Sequence, residues 1–167
     1  NNYRVVADGN WMVPSVNLAA AEELLKLFVK IDSDNERYYR NNHETYRKSV
    51  EKLEKEMDEA REKFFGIKIL CSVHQSAFAA RLGFKALATY DRLEDMNVRE
   101  LKKLVKTGRK EKAALVIDNL QSGPGTGKQI AKDIRAKHAT LTNFPVELSY
   151  TETVRHNIKQ LERAMNE

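Results

Sequence analysis

The chain has 167 residues, 41% of them hydrophobic and 32% charged, which suits one soluble domain with an apolar core and excludes a disordered or membrane-embedded chain. Its 29 basic and 24 acidic residues leave a net charge of +5, spread along predicted helices with no basic block, which speaks against a nucleic-acid partner. The lone Cys71 excludes an internal disulfide and sits in an apolar run, as a buried, inert thiol would.

The first residues, Asn1-Asn2-Tyr3-Arg4, are polar and unlike a secretion signal, so for an exported protein the signal lies upstream. Residues 1–14 read as irregular. A helix follows, capped by Ser15, with Leu18, Ala21, Leu24, Leu25 and Phe28 at helical spacing, and it stops near Ile31. Ser33 and Glu36 form a capping-box pattern. From there to about Phe64 there is neither Gly nor Pro, and Tyr39, His43, Tyr46, Val50, Leu53, Met57, Ala60 and Phe64 make one apolar stripe. The spacing predicts a helix of about thirty residues, roughly 45 Å long. Its stripe packs along the chain's own body, or else against a second copy.

Beyond Gly66 short apolar runs alternate with amphipathic segments. Strands are expected at Ile67–Val73, Phe84–Tyr90, Ala113–Asp118 and Ala139–Thr142. Helices are expected at Gln75–Leu82, around Val98–Val105 with Gly108 as terminator, over Ile130–His138, and from about Ser149 to Met165. The fold class is therefore α/β, a four-stranded mainly parallel sheet flanked by helices and preceded by the long helix. Ligands of such sheets bind at the carboxyl ends of the strands. The domain reading is residues 1–32 as an N-terminal segment and first helix, 33–65 as the long helix, and 66–167 as the α/β lobe.

Ser122-Gly123-Pro124-Gly125-Thr126-Gly127-Lys128-Gln129 follows a strand and precedes a helix, the setting of a phosphate-binding loop. Such a loop needs Gly where Ser122 stands and a magnesium-holding Ser or Thr where Gln129 stands. A flexible strand-to-helix turn is the simpler reading, with a nucleotide-binding enzyme using Lys128 as the alternative. Asp118, ending the preceding strand, either faces a site or caps the loop. No Ser-His-Asp or Cys-His constellation is present, and no catalytic residue is expected.

Three stretches carry a family resemblance: Gly9-Asn10-Trp11-Met12-Val13-Pro14, Val73-His74-Gln75-Ser76-Ala77-Phe78 with Leu82-Gly83-Phe84-Lys85, and Tyr150 to Met165. In order and spacing they resemble the solute-binding proteins of ABC transporters that take up zinc or manganese, whose segments read His-x-Trp-Leu-Asp-Pro, His-Asp-Ala-Phe and Tyr-Asn-Leu-x-x-Leu. The resemblance implies a two-lobed protein, with residues 33–64 as the helix joining the lobes and metal held in the cleft. The N-terminal lobe, with the family's first metal histidine, would lie outside this chain. His74 falls on a ligand position and is intact. Asn10 and Asn143 stand where the family has a His and an Asp, and a neutral amide oxygen is a poor zinc ligand.

The resemblance further implies a zinc or manganese ion as transported ligand, no organic cofactor, and an ABC permease as partner. It also implies an extracytoplasmic location, with the membrane reached only through the permease or an anchor. With its other lobe absent, the fragment could dimerise through the long helix. A non-metal or organic solute on the same scaffold, hydrogen-bonded by Asn10 and Asn143, or a scaffold whose metal site is lost, is the alternative. His43 reads as packing, His138 and His156 as surface or helix-end residues, and Trp11 packs beneath the first helix or stacks on an organic ligand at a cleft edge.

Overall fold

The computed structural model describes residues 8–92, 95–123, 125–145 and 148–166. Pro124, within the Gly-rich turn, lies outside them. The chain divides into two compact units, residues 1–57 and 58–167, the boundary falling inside a long helix.

The first unit is built on α1 (Pro14–Ile31) and the greater part of α2 (Glu36–Phe64). Ser15 does not cap α1. Val13 is the N-cap residue and Pro14 opens the first turn, where a fixed φ and a missing N–H are no handicap. The Ser33–Glu36 capping box does not form either: Ser33–Asn35 is a 3-10 turn without a side-chain cap. Asp32 acts as the local acceptor instead, receiving the Asn35 amide (3.0 Å) and the Tyr39 hydroxyl (2.6 Å). Those bonds hold its carboxyl below the usual range, the Tyr39 bond contributing most. Glu36 is left to pair with Arg40 at 2.6 Å.

The predicted stripe of α2 is half-buried at Tyr39, His43 and Tyr46 and buried at Val50, Leu53 and Met57. Within the unit, Tyr46 donates to Asn17 Oδ1 at 2.5 Å and Phe28 lies 5.3 Å from the Tyr39 ring, tying α1 to α2. His43 packs as expected, with Glu22 3.4 Å from its Nε2. On the exposed face Arg47 contacts both Glu44 and Glu51, and its guanidinium holds the Glu44 carboxyl down to about 2. Such solvated pairs support a helix locally and add little to global stability.

The second unit begins with the last turns of α2. Asp58 pairs with Arg81 (2.9 Å), Phe64 stacks on Phe84 (4.8 Å), and Lys63 pairs with Glu162 (2.7 Å). Its strands are β1 (Lys68–Ser72), β2 (Lys85–Tyr90), β3 (Leu115–Asn119) and β4 (Lys137–Leu141), all parallel, in the order β2-β1-β3-β4. The helices are α3 (Ser76–Arg81), α4 (Val98–Glu111), α5 (Gly125–Ile134) and α6 (Tyr150–Asn166). Leu70, Tyr90 and Val116 pack with Leu104 of α4 and Ile130 and Ala131 of α5 in one core layer. By strand alternation Ile69, Cys71, Leu115 and Ile117 face the other way, and all four are fully buried. The near-continuous apolar run of β1 and β3 is what a strand covered on both faces requires.

Two boundaries depart from expectation. Gly108 does not end α4, which continues to Glu111 and stops where Lys112 takes a left-handed φ of 56°. α5 stops at Ile134, because Arg135 adopts φ 59° and the Ala136 N–H returns to the Ala131 carbonyl at 2.9 Å. Each helix thus ends on a left-handed basic residue in the role usually given to Gly. His138 consequently lies in β4 and not in a helix. The capping boxes that do form are Asn97 with Glu100 on α4 and Ser149 with Glu152 on α6.

The Gly-rich turn owes part of its composition to close packing. A Cβ on Gly127 would lie 2.3 Å from the Tyr90 hydroxyl and 2.4 Å from Asp118 Oδ1, whereas a Cβ on Gly125 would meet nothing within 4 Å. Gly127→Ala should therefore lower the urea midpoint by the equivalent of about 1–3 kcal/mol, and Gly125→Ala should move it by less than about 0.5 kcal/mol.

Burial pushes the Cys71 thiol up from its ordinary 9.0 to about 11. With the folded value raised, the stability contributed by the neutral thiol is complete below about pH 9 and is lost as pH rises towards 11. Unfolding midpoints measured between pH 8 and 11 should fall, and Cys71→Ala should flatten that decline by about 2 kcal/mol across the interval.

Candidate functional site

The carboxyl ends of β1, β2, β3 and β4 lie along one rim of the sheet. The chain leaves β1 for β2 on one side and reaches β3 on the other, so the rim between β1 and β3 is a topological switch point, where open α/β sheets form a crevice. His74 lies on the same rim, in the 3-10 turn Val73–Gln75 that follows β1. Its side chain is 46% exposed, and its Nε2 is 3.9 Å from Oδ1 of Asp91, the first residue after β2.

Next to His74, Gln75 is completely buried. Its Nε2 donates to Asn119 Oδ1 and to Asn143 Oδ1, both at 3.0 Å, while its Oε1 has no hydrogen-bond partner among the described residues. Asn143 is held at its other end too: its Nδ2 donates to the His74 carbonyl (3.3 Å) and its backbone N–H to Gln121 Oε1 (3.1 Å). The Asn157 amide of α6 accepts from the Thr142 N–H and donates to the Thr142 carbonyl. A chain of carboxamides thus ties the ends of β1, β3 and β4 together. Each bond contributes about 1 kcal/mol net, and losing one partner strands a buried polar group at greater cost.

His74 and Asn143 are therefore brought together, although the Asn143 amide braces the His74 turn through both of its ends. Asn10 belongs to the other unit. There its Oδ1 accepts the Met12 N–H at 2.8 Å and forms the turn that leads into α1. Trp11, 47% exposed, lines an apolar groove of about 440 Å³ in that first unit with Leu24, Phe28 and Tyr46. Among the described residues no group of three or more His, Cys, Asp or Glu side chains is placed to hold a metal ion.

A second polar network underlies the same rim. Asp118, 2% exposed, accepts from the Tyr90 hydroxyl (2.7 Å) and the Gly127 N–H (3.1 Å), and lies 2.8 Å from His138 Nε2. Burial, reinforced by the Asp118 charge, pushes the Tyr90 hydroxyl upward. His138 is thus neither a surface nor a helix-end residue. The reading of Asp118 as a cap for the following loop holds. Its carboxylate takes the amide at the start of α5 that a bound phosphate would need, while Lys128 is exposed. His156 is exposed on α6, where it neighbours Gln160.

Sequence reasoning did not single out Asp91, Asn119 or Gln121. The local signal for them is a polar residue that ends a strand, as Asn119 does, or lies just beyond one, as Asp91 and Gln121 do. Their pairings join residues far apart in sequence, so no periodicity reveals them.

No curated protein matches the sequence significantly. Among solved structures, one of ZnuA superposes with a TM-score of 0.78 at 18% identity, covering 93% of this chain and 58% of its own. The laminin-binding protein Lbp of Streptococcus pyogenes gives 0.78 at 20% identity, covering 93% of this chain and 64% of its own. A manganese-bound mutant of a periplasmic metal-binding protein from Candidatus Liberibacter asiaticus gives 0.72 at 17% identity, covering 99% and 68%. The chain thus spans 58% to 68% of the length of these proteins, and they share its four-stranded parallel α/β fold. No helix among the described residues is long and apolar enough to cross a membrane. The model of the periplasmic component A of the zinc-uptake complex, ZnuA, matches residues 10–164, and the chain belongs to that family.

Proposed function

We propose that this chain is the C-terminal portion of an extracytoplasmic solute-binding protein that captures a divalent metal ion, zinc or manganese, and delivers it to an ABC permease. The observation that carries the reading is the family match over residues 10–164, together with a half-exposed imidazole, His74, just past the carboxyl end of β1. The manganese-bound neighbour supports the choice of cargo. In this reading residues 1–32 carry the first helix, 33–65 form the helix between lobes, and 66–167 form the C-terminal lobe. A further, N-terminal lobe of the same protein completes the cleft. The protein is no enzyme, needs no organic cofactor, and meets the membrane only through its permease or an anchor.

His74 offers a neutral nitrogen donor suited to zinc and manganese. Asn10 and Asn143 occupy ligand positions as amides, whose uncharged oxygens contribute less to holding a dication than a carboxylate does. A weaker grip favours release to a permease over long retention. One observation favours a second reading, a non-metal solute: no cluster of three or more His, Cys, Asp or Glu side chains placed to hold a metal is present among the described residues.

Metal titration and elemental analysis of the intact protein separate the two. One zinc or manganese ion per chain is expected, with His74→Ala weakening binding at least about tenfold. A well-folded protein that takes up neither metal would overturn the metal reading and leave the solute reading.

A further inference from the structure

We propose that Asp91 is a metal ligand, supplying with His74 the anionic oxygen that the amide at position 143 cannot. The inference rests on the metal-capture reading and adds a residue to it. Asp91 directly follows β2, and His74 lies two residues past the end of β1, the neighbouring parallel strand, in which Ser72 pairs with Tyr90. The pairing sets the two side chains at the same height on the rim. Their facing atoms, Nε2 and Oδ1, are 3.9 Å apart, too far for a hydrogen bond. Two donors bound to zinc at about 2.1 Å with a tetrahedral angle would be about 3.4 Å apart. The pair thus needs to close by only about 0.5 Å, a small torsion for side chains that are 46% and 52% exposed.

The alternative, an ion pair kept for stability, has little to recommend it. An exposed pair at this separation contributes almost nothing to folding. Asp91 Oδ1 also accepts the Arg92 N–H at 2.9 Å, which orients the carboxylate and leaves it further lone pairs. Asn143, by contrast, already accepts from Gln75 and donates to the His74 carbonyl, so its amide is spent on bracing the turn that presents the imidazole. One rim residue positions His74 and another provides the charge. A nitrogen and a carboxylate oxygen form the beginning of a site for a borderline dication, with the remaining donors to come from elsewhere in the protein.

The test is zinc titration of the intact protein as wild type, Asp91→Asn, Asp91→Glu, His74→Ala and Asp133→Asn. Asp133 is an exposed carboxylate near the far end of α5 and controls for the loss of one negative charge. Asp91→Asn should lower zinc affinity at least about tenfold with an unchanged metal-free melting temperature. Asp91→Glu should recover most of that loss, and Asp133→Asn should bind like wild type. Zinc binding that is abolished by His74→Ala yet untouched by Asp91→Asn would overturn the role of Asp91 and leave the metal reading intact. Equal weakening by Asp91→Asn and Asp133→Asn would reduce the effect to general charge and overturn it too. A folded wild type that binds neither zinc nor, in a parallel titration, manganese would remove the metal reading and Asp91 with it.

Discussion

A carboxylate buried at the end of a central strand must be surrounded by donors or it costs several kcal/mol. Asp118 meets that requirement with three groups from three elements: the Tyr90 hydroxyl closing β2, the Gly127 N–H opening α5, and the His138 ring on β4. The demand propagates outward. It fixes where α5 begins, it requires the hydrogen-only side chain of Gly127, and it draws a β4 side chain back toward β3. The loop that looks like a nucleotide cradle in sequence is shaped by this internal anion.

The rim above that carboxylate is organised by neutral amides. Gln75, Asn119, Asn143, Gln121 and Asn157 contribute directional bonds with no charge to desolvate, so Gln75, Asn119 and Asn157 can be buried where a set of carboxylates would repel one another. The arrangement separates two duties. Amides hold the ends of the strands, and the exposed His74 and Asp91 are left at the surface with donor atoms directed at each other. In a protein proposed to hold a dication reversibly, such a division lets the grip on cargo change without loosening the frame.

What was legible in the sequence followed from local pattern. The stripe from Tyr39 to Phe64 foretold the long helix, and the alternation of Ile67–Val73, Phe84–Tyr90, Ala113–Asp118 and Ala139–Thr142 with helical segments foretold the four parallel strands. The misplaced boundaries share one cause. Lys112 and Arg135 end helices in a left-handed conformation that their residue types do not advertise, so Gly108 was read as a stop and His138 as helical. The capping signals failed at Ser15 and Ser33 because Pro14 and Asp32, one place earlier, do the local work. Of the rim, His74 and Asn143 were visible through the family pattern. Asp91 and the amide chain were not, because they are defined by strand register and by bonds such as Gln75 to Asn143, which only the folded sheet brings together.

The strand order also constrains when the sheet can form. β1 is the first strand among the described residues and lies inside the sheet, so one of its edges is satisfied only when Ile69 to Cys71 meet Leu115 to Ile117, long after β2 has been made. β3 in turn waits for β4, nearly at the end of the chain. Pairings this distant in sequence form slowly, since the entropy of closing the intervening loop comes before the reward. During synthesis the second unit therefore lacks its complete sheet until β4 has emerged. Until then the far edge of β3 stays unpaired and open to other partners.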